Sequence, residues 1–170
     1  LYVKDKASNH SPIYGSTVPT ITATGPFDYN EYSATDHGGS VYHEGTGYTD
    51  YLEANYTAIG TNDFTLQFWV YPETSSDPYA GYFSSKKSTS IPGITVAKDT
   101  IDIGTNTSSF ALFGNPSIKE ESWSHIAVVR SGDVSTAYVN GKSLGVFRVR
   151  VLLIYQVMSF VQCRDMAITK

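Results

Sequence analysis

The side chains in this 170-residue chain that could do chemistry are its carboxylates, histidines and tyrosines. Retaining glycoside hydrolysis needs two carboxyl groups about 5 Å apart, flanking one scissile bond. On a strand that means alternate positions of one face, yet no strand-like segment carries Glu-x-Asp-x-Glu or Glu-x-Asp-x-x-Glu. Asp99 and Asp102 come nearest, and three-residue spacing sends their carboxylates to opposite faces of a strand. Glu120 and Glu121 are adjacent just ahead of a strand, an arrangement typical of a solvated turn. His10, His37, His43 and His125 accompany many serines, but no Gly-x-Ser-x-Gly elbow is present to build a triad. His125 alternates with Trp123 and Ala127 and reads as a core or sheet-face histidine. Enzymatic function is not expected.

Recognition of sugars suits the composition better. Pyranose faces stack on aromatic rings while amides and carboxylates orient the hydroxyls. The chain holds thirteen Tyr, eight Phe and two Trp. Tyr48, Tyr51, Tyr56, Tyr79 and Tyr82 fall in or beside loop-like segments and are the candidate carbohydrate-binding residues. Trp69 alternates with Phe68, so one of these two rings must leave the core for the other surface of its sheet.

The elements that must position these residues are strands. Residues 64–71 (Phe-Thr-Leu-Gln-Phe-Trp-Val-Tyr) alternate with period two, putting Phe64, Leu66, Phe68 and Val70 on one face, and Pro72 ends the run. Residues 123–130 (Trp-Ser-His-Ile-Ala-Val-Val-Arg) and 135–139 alternate in the same way. Asn140-Gly141 between apolar runs is a type I′ hairpin signal, because both central residues need positive φ. Shorter strands are expected near residues 21–24, 38–45, 49–53, 81–84, 94–97, 101–103 and 109–113, while the rest of residues 1–37 reads as loop. No long 3.6-residue period appears before residue 145, so the fold class is all-β. One domain fits the length.

The net charge of −4 argues against a nucleic-acid partner. A single cysteine, Cys163, excludes an internal disulfide framework and a Cys-rich zinc site. The apolar run at residues 151–161 is too short to span a bilayer.

The strand from Asp63 to Pro72, the Ile-Ala-Val-Val-Arg run at residues 126–130 and Tyr138-Val139-Asn140-Gly141 together resemble the laminin-G-like, concanavalin A-like lectin/glucanase domain. The match runs over residues 38–145, and its wording is most similar to domains of phage structural and tail-fibre proteins, marine phages especially. The resemblance implies a two-sheet antiparallel jelly-roll sandwich and a non-enzymatic carbohydrate-binding or adhesion module on a virion or extracellular surface. Its implied partners are a glycan or host-surface polysaccharide and other virion or surface proteins, with an oligomer allowed. A purely structural assembly or decoration domain is the alternative, and a glycan-cleaving enzyme ranks last. Domains of this kind often hold Ca2+ at the sandwich rim, for which Asp50, Asp99 and Asp102 are the candidate donors.

Residues 146–170 depart from that pattern. Residues 1–145 carry 8 basic and 15 acidic groups, whereas residues 146–170 carry 4 and 1, and both methionines and Cys163 fall there. Two readings compete: a hydrophobic strand or helix that plugs the core or binds a partner, or a frameshifted or truncated end replacing the closing strands. The break in composition favours the second, which would leave a sheet with an exposed edge.

Overall fold

The computed structural model describes residues 40–43, 60–74, 81–85, 93–104, 113–114 and 116–148 with their side chains. It describes the backbone alone at 13–14, 20–22, 51–55, 105–106, 109–112, 157–161 and 166–167. Fourteen strands and no helix occur among these residues: β1 (Ile13–Tyr14), β2 (Thr20–Thr22), β3 (Ser40–Tyr42), β4 (Tyr51–Asn55), β5 (Phe64–Val70), β6 (Gly81–Ser84), β7 (Gly93–Ala97), β8 (Thr100–Asn106), β9 (Ser109–Gly114), β10 (Ser124–Ser131), β11 (Val134–Val139), β12 (Lys142–Arg148), β13 (Val157–Val161) and β14 (Met166–Ala167).

They form two seven-stranded sheets with the orders β1-β4-β13-β6-β7-β8-β9 and β12-β11-β10-β5-β14-β3-β2. Each pairing is antiparallel, as the all-β jelly-roll reading requires. The core lies between the sheets. Phe68, Val70, Ile126, Val128, Ala137 and Val139 enter it from the second sheet; Tyr82, Phe83, Ile94, Val96, Ile101 and Ile103 enter from the first. Phe68 and Phe83 meet across the gap with ring centroids 5.8 Å apart. Burying each such side chain contributes about 1.5–3 kcal/mol, so alternation along β5 and β10 is what fixes their facing.

The Asn140-Gly141 hairpin forms as expected, with φ of +50° and +75°. The Asn140 N–H donates to the His125 carbonyl, and the Asn140 Oδ1 accepts from the His125 N–H, both at 2.8 Å. At the far side of β12 the sheets close on each other through Gly145, whose φ is +143°. A Cβ there would stand 2.9 Å from Cε1 of Phe113 on β9, so only glycine lets β12 approach that ring.

Two expectations need correcting. Ile13–Tyr14, read as loop, pairs with Glu53 and Leu52 of β4. More consequentially, the tail does not leave a sheet with an open edge: β13 lies between β4 and β6, and β14 between β3 and β5. The apolar, β-branched content of residues 157–161 suits an interior strand whose both edges are paired.

Candidate functional site: an aromatic rim on the second sheet

In the β5–β10 ladder Trp69 lies opposite His125, and Val70 opposite Ser124. Because side chains alternate, Trp69 and His125 point away from the core that receives Phe68, Val70 and Ile126. Their rings lie 5.0 Å apart, tilted by 52°. One step along, just outside the two strands, Tyr71 and Trp123 repeat the arrangement edge to face, with centroids 5.5 Å apart. Two successive cross-strand ring pairs thus form a patch on the outward surface at one end of the sheet. All four residues are half-buried. The quadrupoles of such tilted and edge-on pairs hold them together by about 0.5–1.5 kcal/mol each.

Glu121 fixes the lip of this patch. Its N–H donates to the Pro72 carbonyl at 2.7 Å, its Oε1 accepts from the Thr74 N–H at 3.0 Å, and its Oε2 accepts from the Tyr71 hydroxyl at 3.3 Å. Glu121 holds a left-handed backbone, φ +54°, which costs a non-glycine residue about 1–2 kcal/mol. The three bonds offset that cost and tie the exit of β5 to the approach to β10. Neighbouring Glu120 is paired with Lys98. The two glutamates are therefore each engaged by different partners and do not face one another across a cleft.

His125 completes the rim. Burial pushes its imidazole below the ordinary histidine value, so at neutral pH the ring is uncharged and presents an aromatic face to Trp69. Its backbone is clamped by Asn140, which brings an amide to the same end of the sheet. Flat apolar faces beside an amide and a carboxylate form a surface that can stack a ring and accept or donate hydrogen bonds at its margin.

The residues singled out from sequence fare differently. Tyr82 lies in β6, the strand expected at residues 81–84, but is 2 % exposed in the core and so does not line a rim. A register irregularity between Gly81 and Phe83 lets Tyr82 and Phe83 both be buried although they are consecutive, as a bulge does. Tyr51 begins β4 in the first sheet. Tyr48, Tyr56, Tyr79 and Asp50 lie outside the described residues. Asp99 does not sit within a strand; it occupies the exposed two-residue turn between Ala97 and Thr100, which pair directly. Asp102 is half-buried on the face of β8 opposite Ile101 and Ile103, across from Thr95 and Leu112. Calcium takes six to eight oxygens, and no group of three His, Cys, Asp or Glu placed to share a metal occurs among the described residues. Asp99 and Asp102 by themselves do not make that donor set.

The ring pairs were missed from sequence although half of the signal was visible. Trp69 alternates with Phe68, and Trp123 and His125 alternate with Ser124 and Ile126. Only the register of two segments about fifty residues apart converts those alternations into a patch.

The profile of a family described as the concanavalin A-like lectin/glucanases superfamily (laminin-G type) matches residues 45–154. That is more than half of the chain, which therefore belongs to this family. No curated protein matches the chain. Among solved structures, the chain is similar to the receptor binding domain of botulinum neurotoxin D, with a TM-score of 0.62 and 12% identity over 94% of this chain and 44% of that one. A structure of botulinum neurotoxin type C, titled for cell entry dependent on two ganglioside molecules, gives a TM-score of 0.57 at 12% identity, covering 95% and 43%. The carbohydrate binding module CBM66 from Bacillus subtilis gives 0.55 at 12% identity, covering 98% and 95%. The chain thus spans less than half of the two toxin structures and nearly all of the module. Likeness at such identity is a likeness of fold. No helix among the described residues is long and apolar enough to cross a membrane.

Proposed function

We propose that this protein is a non-enzymatic carbohydrate-binding or adhesion module of a virion or cell-surface protein, and that its glycan stacks on the rim formed by Trp69, His125, Tyr71 and Trp123. The observation that carries the reading is the pair of outward ring contacts at 5.0 and 5.5 Å beside the fixed carboxylate of Glu121. Support comes from the family and from neighbours that are themselves described as carbohydrate- or ganglioside-binding. In this reading Trp69 and Trp123 supply stacking area, and Asn140 and Glu121 orient hydroxyls.

A glycan array probed with the intact protein tests this. Binding to a defined set of glycans, weakened about thirtyfold by Trp69→Ala, the loss of one aromatic anchor worth roughly 2 kcal/mol, is the expected result. Binding to no glycan would favour a structural assembly or decoration role. Loss of binding with a chelator, restored by added Ca2+, would show that recognition needs a bound calcium ion.

A further inference from the structure

The hairpin between β11 and β12 carries a reactive dipeptide. Val139 pairs with Lys142 across the two residues Asn140 and Gly141, whose φ values of +50° and +75° are those of a type I′ turn. An asparagine followed by glycine can cyclise without a catalyst. The Gly141 nitrogen gives its proton to solvent base and attacks Cγ of Asn140, ammonia leaves, and a five-membered succinimide forms. Water then opens that ring at either carbonyl, leaving aspartate or isoaspartate. In sum, one water is consumed, one ammonia is released and one negative charge is gained. Glycine suits the attacking position because no Cβ crowds its nitrogen.

The closed turn works against this step. Ring closure needs the Gly141 nitrogen and the Asn140 side chain on the same side of the Cα–C bond. A type I′ turn sets ψ of its first central residue at about +30° and holds the two apart. The side chain is pinned as well. Asn140 Oδ1 accepts from the His125 N–H and the Asn140 N–H donates to the His125 carbonyl, both at 2.8 Å, which turns the amide toward β10. A reaction that depends on a near-attack geometry is slow from such a ground state. The hairpin nevertheless lies where local opening is easiest. Among the described residues β12 ends its sheet and pairs with β11 alone, its register shifts between Ala137 and Tyr138, and residues 140–143 are exposed.

We propose that Asn140-Gly141 is a site of spontaneous deamidation gated by the β11–β12 hairpin: the closed turn protects Asn140, and conversion proceeds through the opened turn. The two products differ in consequence. Aspartate keeps an acceptor for the His125 N–H, whereas isoaspartate adds a methylene to the backbone of a two-residue turn and breaks the register of Val139 with Lys142. The proposal does not rest on the rim binding a glycan.

Incubation of the intact protein with and without guanidinium chloride, at one pH and temperature, tests it through peptide mapping that resolves asparagine, aspartate and isoaspartate at position 140. Conversion in the folded wild type is expected to be at least about tenfold slower than in the unfolded chain. Gly145→Ala loosens β12 and leaves the dipeptide untouched, so it should speed conversion under native conditions about fivefold or more. The isoaspartate fraction should melt below the Asn140→Asp variant. Equal rates in folded and unfolded wild type, no conversion at position 140 in the unfolded chain, or a folded Gly145→Ala protein that converts no faster than the wild type overturns the proposal. An isoaspartate fraction that melts like Asn140→Asp contradicts the effect on the turn.

Discussion

His125 combines two properties that belong to the residue scale: an aromatic partner at 5.0 Å and an imidazole that burial holds below its ordinary value. The unfolded chain takes up a proton as pH falls through about 6.5, while the folded chain resists it. The stability this residue supports is therefore complete above that pH and is lost progressively as pH falls toward the lower folded value. His125→Gln should flatten the acid limb, read as a smaller loss of urea midpoint between pH 7 and pH 5 than in the wild type; equal losses would show that His125 does not titrate this way. Gly145 makes a second prediction. With φ at +143° and Phe113 Cε1 2.9 Å from the site of a Cβ, Gly145→Ala should destabilise by about 1–3 kcal/mol in denaturant unfolding. Glu121 separates stability from function: Glu121→Gly relieves a left-handed backbone yet releases Tyr71 and Thr74. Its melting temperature should stay close to that of the wild type while glycan affinity drops several-fold, because one or two positioning bonds of about 1 kcal/mol each are gone.

At the scale of elements, the legibility of the fold follows from where its information resides. β5, β10 and β11 are readable because each alternates over six or more residues, and the hairpin is readable because Asn140-Gly141 carries its own φ requirement. β13 and β14 were not readable as closing strands. Their pairing partners, β4 and β6 or β3 and β5, lie far upstream, and nothing local in residues 146–170 specifies that register. The strand holding Tyr82 was readable, but its burial was not, since a bulge in β6 buries a residue that simple alternation with Phe83 would turn outward. The tail strands have a large consequence. In the sheet orders, β1 and β4 join the rest of their sheet through β13, and β2 and β3 join theirs through β14. Truncation after Arg148 should therefore detach four strands and abolish a single cooperative unfolding transition, measurable by calorimetry; a truncated protein that melts like the full chain would contradict this topology.

For the whole molecule, the sandwich sets its aromatic rim and its buried Arg130 at opposite ends of β10. The rim at the start of β10 gathers rings, an amide and a carboxylate on the outside, where a large, flat ligand can reach them. Arg130 at the end of β10 faces inward and is 2 % exposed. Strand alternation makes both from one element: odd positions 123 and 125 point outward, even positions 124 to 130 inward. The outward rim is the site on which the proposed function rests. The most direct measurement is a titration of the best glycan from an array against the wild type, Trp69→Ala and Trp123→Ala, with folding checked by thermal melting. Saturable binding by the wild type and a loss of about thirtyfold in either folded variant is the predicted result. Equal affinity in all three proteins, or no glycan bound by the wild type, would contradict the assignment of the rim.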